Sequence, residues 1–243
     1  MFLYLGQIQK FQKMKLITVL FAVILIFNCC NSEKARLISS NQKPQLTETT
    51  AINYDSCKKE ILLLKEKQKT AWRDMLKPQK EKIFCKAITE TVIPPWIGTA
   101  WDFNGTSENP QQGSIACGYF VTTVLRDAGL NLARIKLAQM ASGQMISSLV
   151  QSKYIHRFSN ISMADFIGSI QRQGYGLYIV GLDNHTGFIY NSGDDIYFIH
   201  STYAGTSNVQ KEKAVSCWIL EQSKYRVLGK ISADEKILER WIN

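Results

Sequence analysis

The four residues Asn191-Ser192-Gly193-Asp194 constrain this chain more than any other stretch. They separate two runs rich in β-branched and aromatic residues, His185-Thr186-Gly187-Phe188-Ile189-Tyr190 and Asp195-Ile196-Tyr197-Phe198-Ile199-His200. A connector that short admits only antiparallel pairing, because a parallel crossover needs about a dozen residues or more. Centring the hairpin between Ser192 and Gly193 sets His185 directly across from His200. Opposed residues on such a ladder have Cβ atoms about 5 Å apart, so one imidazole can orient the other.

The rest of the chain arranges itself around that hairpin. Leu, Lys, Glu and Ala from Ser56 to Met75 suit a helix stopped near Pro78, a second helix is expected over 79–90, and Pro94-Pro95 predicts an extended lead into the next segment. Residues 101–115 are polar and loop-like, 117–128 helical, and Arg134 to Val150 supply one or two helices. Ser162 is placed to cap a helix running through Gln173. Strands are expected at Gly176 to Leu182, His185 to Tyr190, Asp195 to Thr202 and Ala214 to Leu220, with a short capped helix over Ser232 to Trp241. Helices first and antiparallel strands afterwards predict a segregated α+β fold.

Before this body lies a leader. From Leu16 to Phe27 the only polar residue is Thr18, Lys10, Lys13 and Lys15 precede the run, and Asn28-Cys29-Cys30 ends it. Twelve residues are too few to cross a bilayer core, which takes about 20, and fit a secretory signal peptide over 1–28, with Met14 as an alternative start. An uncleaved membrane anchor is the other reading. A cysteine directly after the apolar run resembles the lipobox of bacterial lipoproteins, with Cys29, or else Cys30, acylated. Either reading puts the body outside the cytoplasm, in the cell envelope and tied to a membrane. Residues 29–50, rich in Ser, Asn, Gln, Thr and Lys, form the expected tether, 51–92 a helical segment, and 93–243 the main domain.

Net charge falls from +9 to +6 once the three leader lysines go. That suits attraction to anionic polymers such as cell walls, but no basic cluster is interleaved with aromatics, so nucleic acid is not an expected partner. Outside the cytoplasm disulfides are permitted, the body holds Cys57, Cys85, Cys117 and Cys217, and Cys57–Cys85 is one candidate pairing among them, since no spacing rule settles connectivity. With neither CxxC nor HExxH present, no metal and no cofactor is expected.

Cys117 opens an apolar stripe continued by Phe120, Val121, Val124, Leu125 and Ala128. In the first turn of a helix a thiol meets unpaired N–H groups and the positive dipole end, which favour its thiolate and suit an oxyanion. A lone Cys on such a stripe is by itself more often a small core residue. His185 shifts that balance, since a nucleophilic thiol needs an imidazole to take and return its proton. His200 would orient it, with Asp183 in reserve, while His156, between Ile155 and Arg157, has no partner pattern. Gly187 leaves room beside the histidine.

Trp101-Asp102-Phe103-Asn104-Gly105-Thr106, Cys117-Gly118-Tyr119-Phe120, His185-Thr186-Gly187-Phe188-Ile189-Tyr190 and Phe198-Ile199-His200-Ser201 follow the order of motifs in the NlpC-type cell-wall cysteine peptidases, and residues 96–202 resemble that family. The resemblance implies a papain-like fold in which the Cys-bearing helix packs on an antiparallel sheet. It implies a Cys117-His185-His200 triad cutting an amide bond in peptidoglycan stem peptides, and substrate contacts at Trp101, Phe103, Gly105 and Ala116. Two positions depart from the family: Trp101 replaces its usual Tyr and Ala116 its frequent Asp, residues that there help bind the substrate amine. A non-catalytic envelope lipoprotein that binds wall fragments or a protein partner is the rival reading.

Overall fold

Six strands, all paired antiparallel in the order β1-β6-β2-β3-β4-β5, form the centre of the computed structural model, which describes residues 53–243. They are β1 Ile155–Ser159, β2 Gly176–Gly181, β3 Thr186–Asn191, β4 Ile196–Ser201, β5 Val209–Lys213 and β6 Tyr225–Lys230. The expected leader, lipidation candidates Cys29 and Cys30, and tether lie outside the described residues. The fold is α+β, with helices α1 Tyr54–Trp72, α2 Lys77–Lys86, α3 Cys117–Asp127, α4 Arg134–Ala138, α5 Ser142–Leu149, α6 Met163–Gln173, α7 Trp218–Gln222 and α8 Glu235–Ile242. None of these is long and apolar enough to cross a membrane.

Strand alternation divides the core in two. Leu177, Ile179, Phe188, Ile199 and Val227 face α3, α5, α1 and α8, while Tyr178, Val180, Ile189, Phe198 and Leu228 face α6 and the segment around Ala214, Cys217 and Leu220. Helix α1 starts where Asn53 accepts the Asp55 N–H, and it buries Tyr54, Cys57, Ile61 and Trp72 as one stripe. Its Trp72 meets Trp241 of α8, and Tyr54 packs edge-on against Trp96, which in turn meets Phe120 of α3. The helical segment ahead of residue 93 therefore belongs to the same core as the sheet.

Several expectations need correction. Pro94-Pro95 does not extend the chain; Pro94–Trp96 is a 3-10 turn, because at the first positions of a helical turn proline's missing N–H costs nothing and its φ is already suitable. Residues 214–220 are not a strand: Ala214–Ser216 form a 3-10 turn and α7 follows, while the strand is the preceding β5. Strands β1 and β6 flank the expected ones. Cys57, Cys85, Cys117 and Cys217 are free thiols, so the Cys57–Cys85 bridge is absent.

The hairpin register is also displaced. Ile189 pairs with Phe198 and Asn191 with Ile196, which centres the turn between Gly193 and Asp194. Gly193 has φ +100°, the left-handed conformation a two-residue hairpin loop wants at its first central position, and the Ser192 N–H donates to the Asp195 carbonyl. The shift is two residues, so every side chain keeps its face. Continuing the ladder sets Gly187 opposite His200, where a Cβ on Gly187 would lie 2.7 Å from the His200 Cβ. Gly187 thus makes room for His200, and His185 lies on the diagonal.

Candidate functional site

Two strands and the residue that leads into a third contribute to a line of hydrogen bonds. His185, immediately before β3, places Nε2 2.8 Å from Nδ1 of His200 on β4, and His200 Nε2 is 2.8 Å from Oε1 of Glu212 on β5. Because His200 pairs with Gln210 across β4 and β5, Glu212 is again a diagonal neighbour, and the long Glu and His side chains span that diagonal. The Phe198 ring stacks on His200 at 3.9 Å and meets His185 edge-on, holding both imidazole planes. His200 is fully buried and His185 is 5% exposed.

The network sets the tautomers. A carboxylate only accepts, so His200 donates Nε2–H to Glu212; its Nδ1 is then an acceptor, and His185 must donate Nε2–H to it. Neutral His185 is left with a lone pair on Nδ1, which takes no hydrogen-bond partner among the described residues. A ring so arranged has the chemistry of a base, with two groups aligned behind it.

Cys117 opens α3, with Ala116 as its N-cap, and the N–H groups of Cys117 and Gly118 have no intrahelical partner. Cys117, Gly118, His185 and Thr186 together line a cleft of about 560 Å³, whose other walls include Ser142 and Gly143 at the start of α5 and Arg157 of β1. That volume suits a small-molecule or peptide-sized ligand. The loop before Cys117 is pinned from both sides: Ser201 of β4 donates its hydroxyl to the Ile115 carbonyl, and buried Arg134 donates to Thr123, to the Thr106 carbonyl and to the Ser107 carbonyl.

Burial governs the charges. It pushes the Cys117 thiol above its ordinary value, and the N–H groups of Thr186, Gly118 and Cys117 itself oppose this only in part. It pulls His185 down to about 3, assisted by the adjacent His200. His200 is lowered by burial too, against the pull of Glu212, and Glu212 is held below the usual carboxylate range by its hydrogen bond from His200. Both shifts favour the uncharged forms, a thiol and an imidazole that line the same cleft. The helix start does favour the thiolate, as expected from sequence, but desolvation outweighs it.

The four expected substrate contacts do not line this cleft. Trp101, whose N–H donates to the Ser207 carbonyl, packs its ring on Tyr203 at 5.7 Å; Phe103 is 79% exposed. Gly105 accepts the Ala116 N–H and is pressed against the Ile115 backbone, where a Cβ would come within 2.6 Å of the Ile115 nitrogen. None of Trp101, Phe103, Gly105 or Ala116 lines the cleft. Asp183 lines it but does not orient His185: its oxygens accept from the Ser223 hydroxyl and from the Lys224 and Tyr225 N–H groups, fixing the start of β6. His156 is exposed on β1.

The sequence around Glu212 does not single it out. In Val209-Gln210-Lys211-Glu212-Lys213 it resembles one charge of a solvated run, and only recognising β5 as a strand next to β4 would have aimed it at His200. No family model, no curated protein and no solved structure matches this chain.

Proposed function

We propose that this chain is a papain-like cysteine hydrolase of the NlpC type, exported and lipid-anchored in the bacterial envelope through Cys29 or Cys30, that cleaves an amide bond in peptidoglycan stem peptides. The observation that carries this reading is the hydrogen-bonded series Glu212, His200, His185, whose last residue lines the same cleft as Cys117. A histidine needed only for packing has no use for two aligned groups behind it.

Chemistry follows from the tautomers. As the Cys117 sulfur attacks the amide carbonyl, His185 Nδ1 takes the thiol proton, so charge separation arises during the step and not in the resting enzyme. The N–H groups of Cys117 and Gly118, free at the helix start, would hold the oxyanion. Imidazolium His185 then gives its proton to the leaving amine, and the same nitrogen deprotonates the water that hydrolyses the thioester. His200 and Glu212 keep the ring aligned and stabilise its positive charge.

The test is digestion of soluble peptidoglycan fragments by the full chain. New amino groups should appear in step with cut stem peptides, and Cys117→Ser should abolish them. The rival binding lipoprotein draws support from the neutral resting dyad and from Trp101 and Ala116, the departures from the family pattern. It gains the field if wild type retains wall fragments without cutting them.

A further inference from the structure

We propose that His200, Glu212 and Cys217 also form a binding site for a borderline-soft divalent cation of the zinc type, and that occupancy switches the His185 base off. Cys217 follows the 3-10 turn Ala214–Ser216 and returns its thiol to the far end of the relay, 3.4 Å from Glu212 Oε1. His200 Nε2, Glu212 Oε1 and Cys217 Sγ all lie within 4.8 Å of one another. One nitrogen, one carboxylate oxygen and one thiolate sulfur are the donor types zinc prefers, and ligands around tetrahedral zinc stand roughly 3.3–3.7 Å apart. Reaching that spacing asks the 2.8 Å His200–Glu212 contact to open by about half an ångström and the His200–Cys217 pair, the widest of the three at up to 4.8 Å, to close by about one, movements that fall to the 35% exposed Glu212 side chain and to rotation of the Cys217 thiol. The same exposure supplies a way in for the ion and a fourth position for water. His185 behind His200 occupies the place of the outer partner that metal-bound histidines usually have.

Proton accounting gives the consequence. Cation binding takes the Cys217 thiol proton and the His200 Nε2 proton into solvent. The His185 Nε2 proton crosses to His200 Nδ1, and His185 regains a proton at Nδ1 from cleft water, so one proton leaves overall. His185 then presents N–H to Cys117 where it had a lone pair, and it no longer serves as a base. This last effect rests on the hydrolase reading, whereas the metal site itself does not.

Cobalt(II) titrated into the full chain tests the site. In Cys117→Ala, which removes the competing thiol of the cleft, a thiolate-to-cobalt charge-transfer band should saturate at one ion per chain, and zinc should displace it. In that same Cys117→Ala background Cys217→Ser should lose the band, and Glu212→Ala, altering a part-exposed residue, should lose it with the circular dichroism spectrum unchanged. A band that persists once Cys217→Ser is added to Cys117→Ala, or none in Cys117→Ala itself, overturns the site. In wild type, zinc should slow alkylation of Cys117 and should not do so in Cys217→Ser; metal bound at this site without slowing overturns the switch. Cys117 that is inert even under chelator would instead count against the hydrolase reading.

Discussion

Replacing Glu212 with Gln isolates the end of the relay. The wild-type carboxylate can only accept, which forces the His200 and His185 tautomers; a carboxamide can accept or donate, and in the donating orientation it reverses both rings and puts the proton on the nitrogen facing the cleft. A hydrogen bond to a charged group contributes about 1.5–3 kcal/mol and a neutral one about 0.5–1.5, so the preference for the productive tautomer should weaken by about 1–2 kcal/mol. Glu212 is 35% exposed and its charge is partly screened, which favours the lower end, near 1 kcal/mol. The tautomer shift alone lowers the productive fraction less than twofold, but the same loss of about 1 kcal/mol falls on the imidazolium that forms as the thiol proton moves, and at about 1.4 kcal/mol per decade that is roughly a fivefold slowing. The assay is the second-order rate of Cys117 alkylation by iodoacetamide under chelator, read by peptide mass spectrometry so that Cys57, Cys85 and Cys217 are counted separately. Thermal unfolding of the same samples checks the fold. An unchanged rate in Glu212→Gln alongside a marked loss in His200→Ala would show that the relay ends at His200 and that the tautomer argument is wrong.

Four other outcomes follow from the same geometry. Because Cys117 is raised and His185 lowered, alkylation should climb with pH through and beyond the usual thiol range, and a fast plateau in mild acid would instead reveal a preformed ion pair. His185 titrates near 6.5 when unfolded and about 3 in the fold, so the unfolded chain binds more protons between those values; its contribution to stability is complete above about 6.5 and declines as pH falls, a slope that His185→Gln should reduce in melting curves. Gly187→Ala forces a Cβ to within 2.7 Å of His200 Cβ and 2.8 Å of the Ile199 carbonyl, and overpacking of this kind costs about 1–3 kcal/mol; an unshifted urea midpoint would speak against the register. Arg134→Ala strands the Thr106 and Ser107 carbonyls and should lose about 2 kcal/mol or more by the same urea assay, with little recovery in Arg134→Lys, which cannot span all three acceptors.

What sequence could reveal tracks how local each signal is. The Cys117 stripe, the Ser162 cap and the β3–β4 hairpin rest on spacing within one or two elements, and they are present. The turn was displaced because Ser192-Gly193 and Gly193-Asp194 are both plausible centres, and only glycine's φ at Gly193 selects the second. Strand β1, Ile-His-Arg-Phe-Ser, is a mostly exposed edge without clean alternation, and β6 hides behind Arg226, a charged residue whose guanidinium is buried by donating to the Leu220, Glu221 and Ile161 carbonyls. Ala214, Cys217 and Leu220 imitate a strand in composition while recurring every three residues. Glu212 depends on a pairing between β4 and β5 that no short window contains.

The central claim is that His185 is the base for Cys117, and the most direct measurement compares Cys117 alkylation in wild type and His185→Ala at a pH near neutrality under chelator. Base assistance of this type is typically about a hundredfold or more, and a loss of that order is the expected result. Equal rates in the two proteins, with both folded, would contradict the claim and leave Cys117 as an ordinary thiol at the start of a helix.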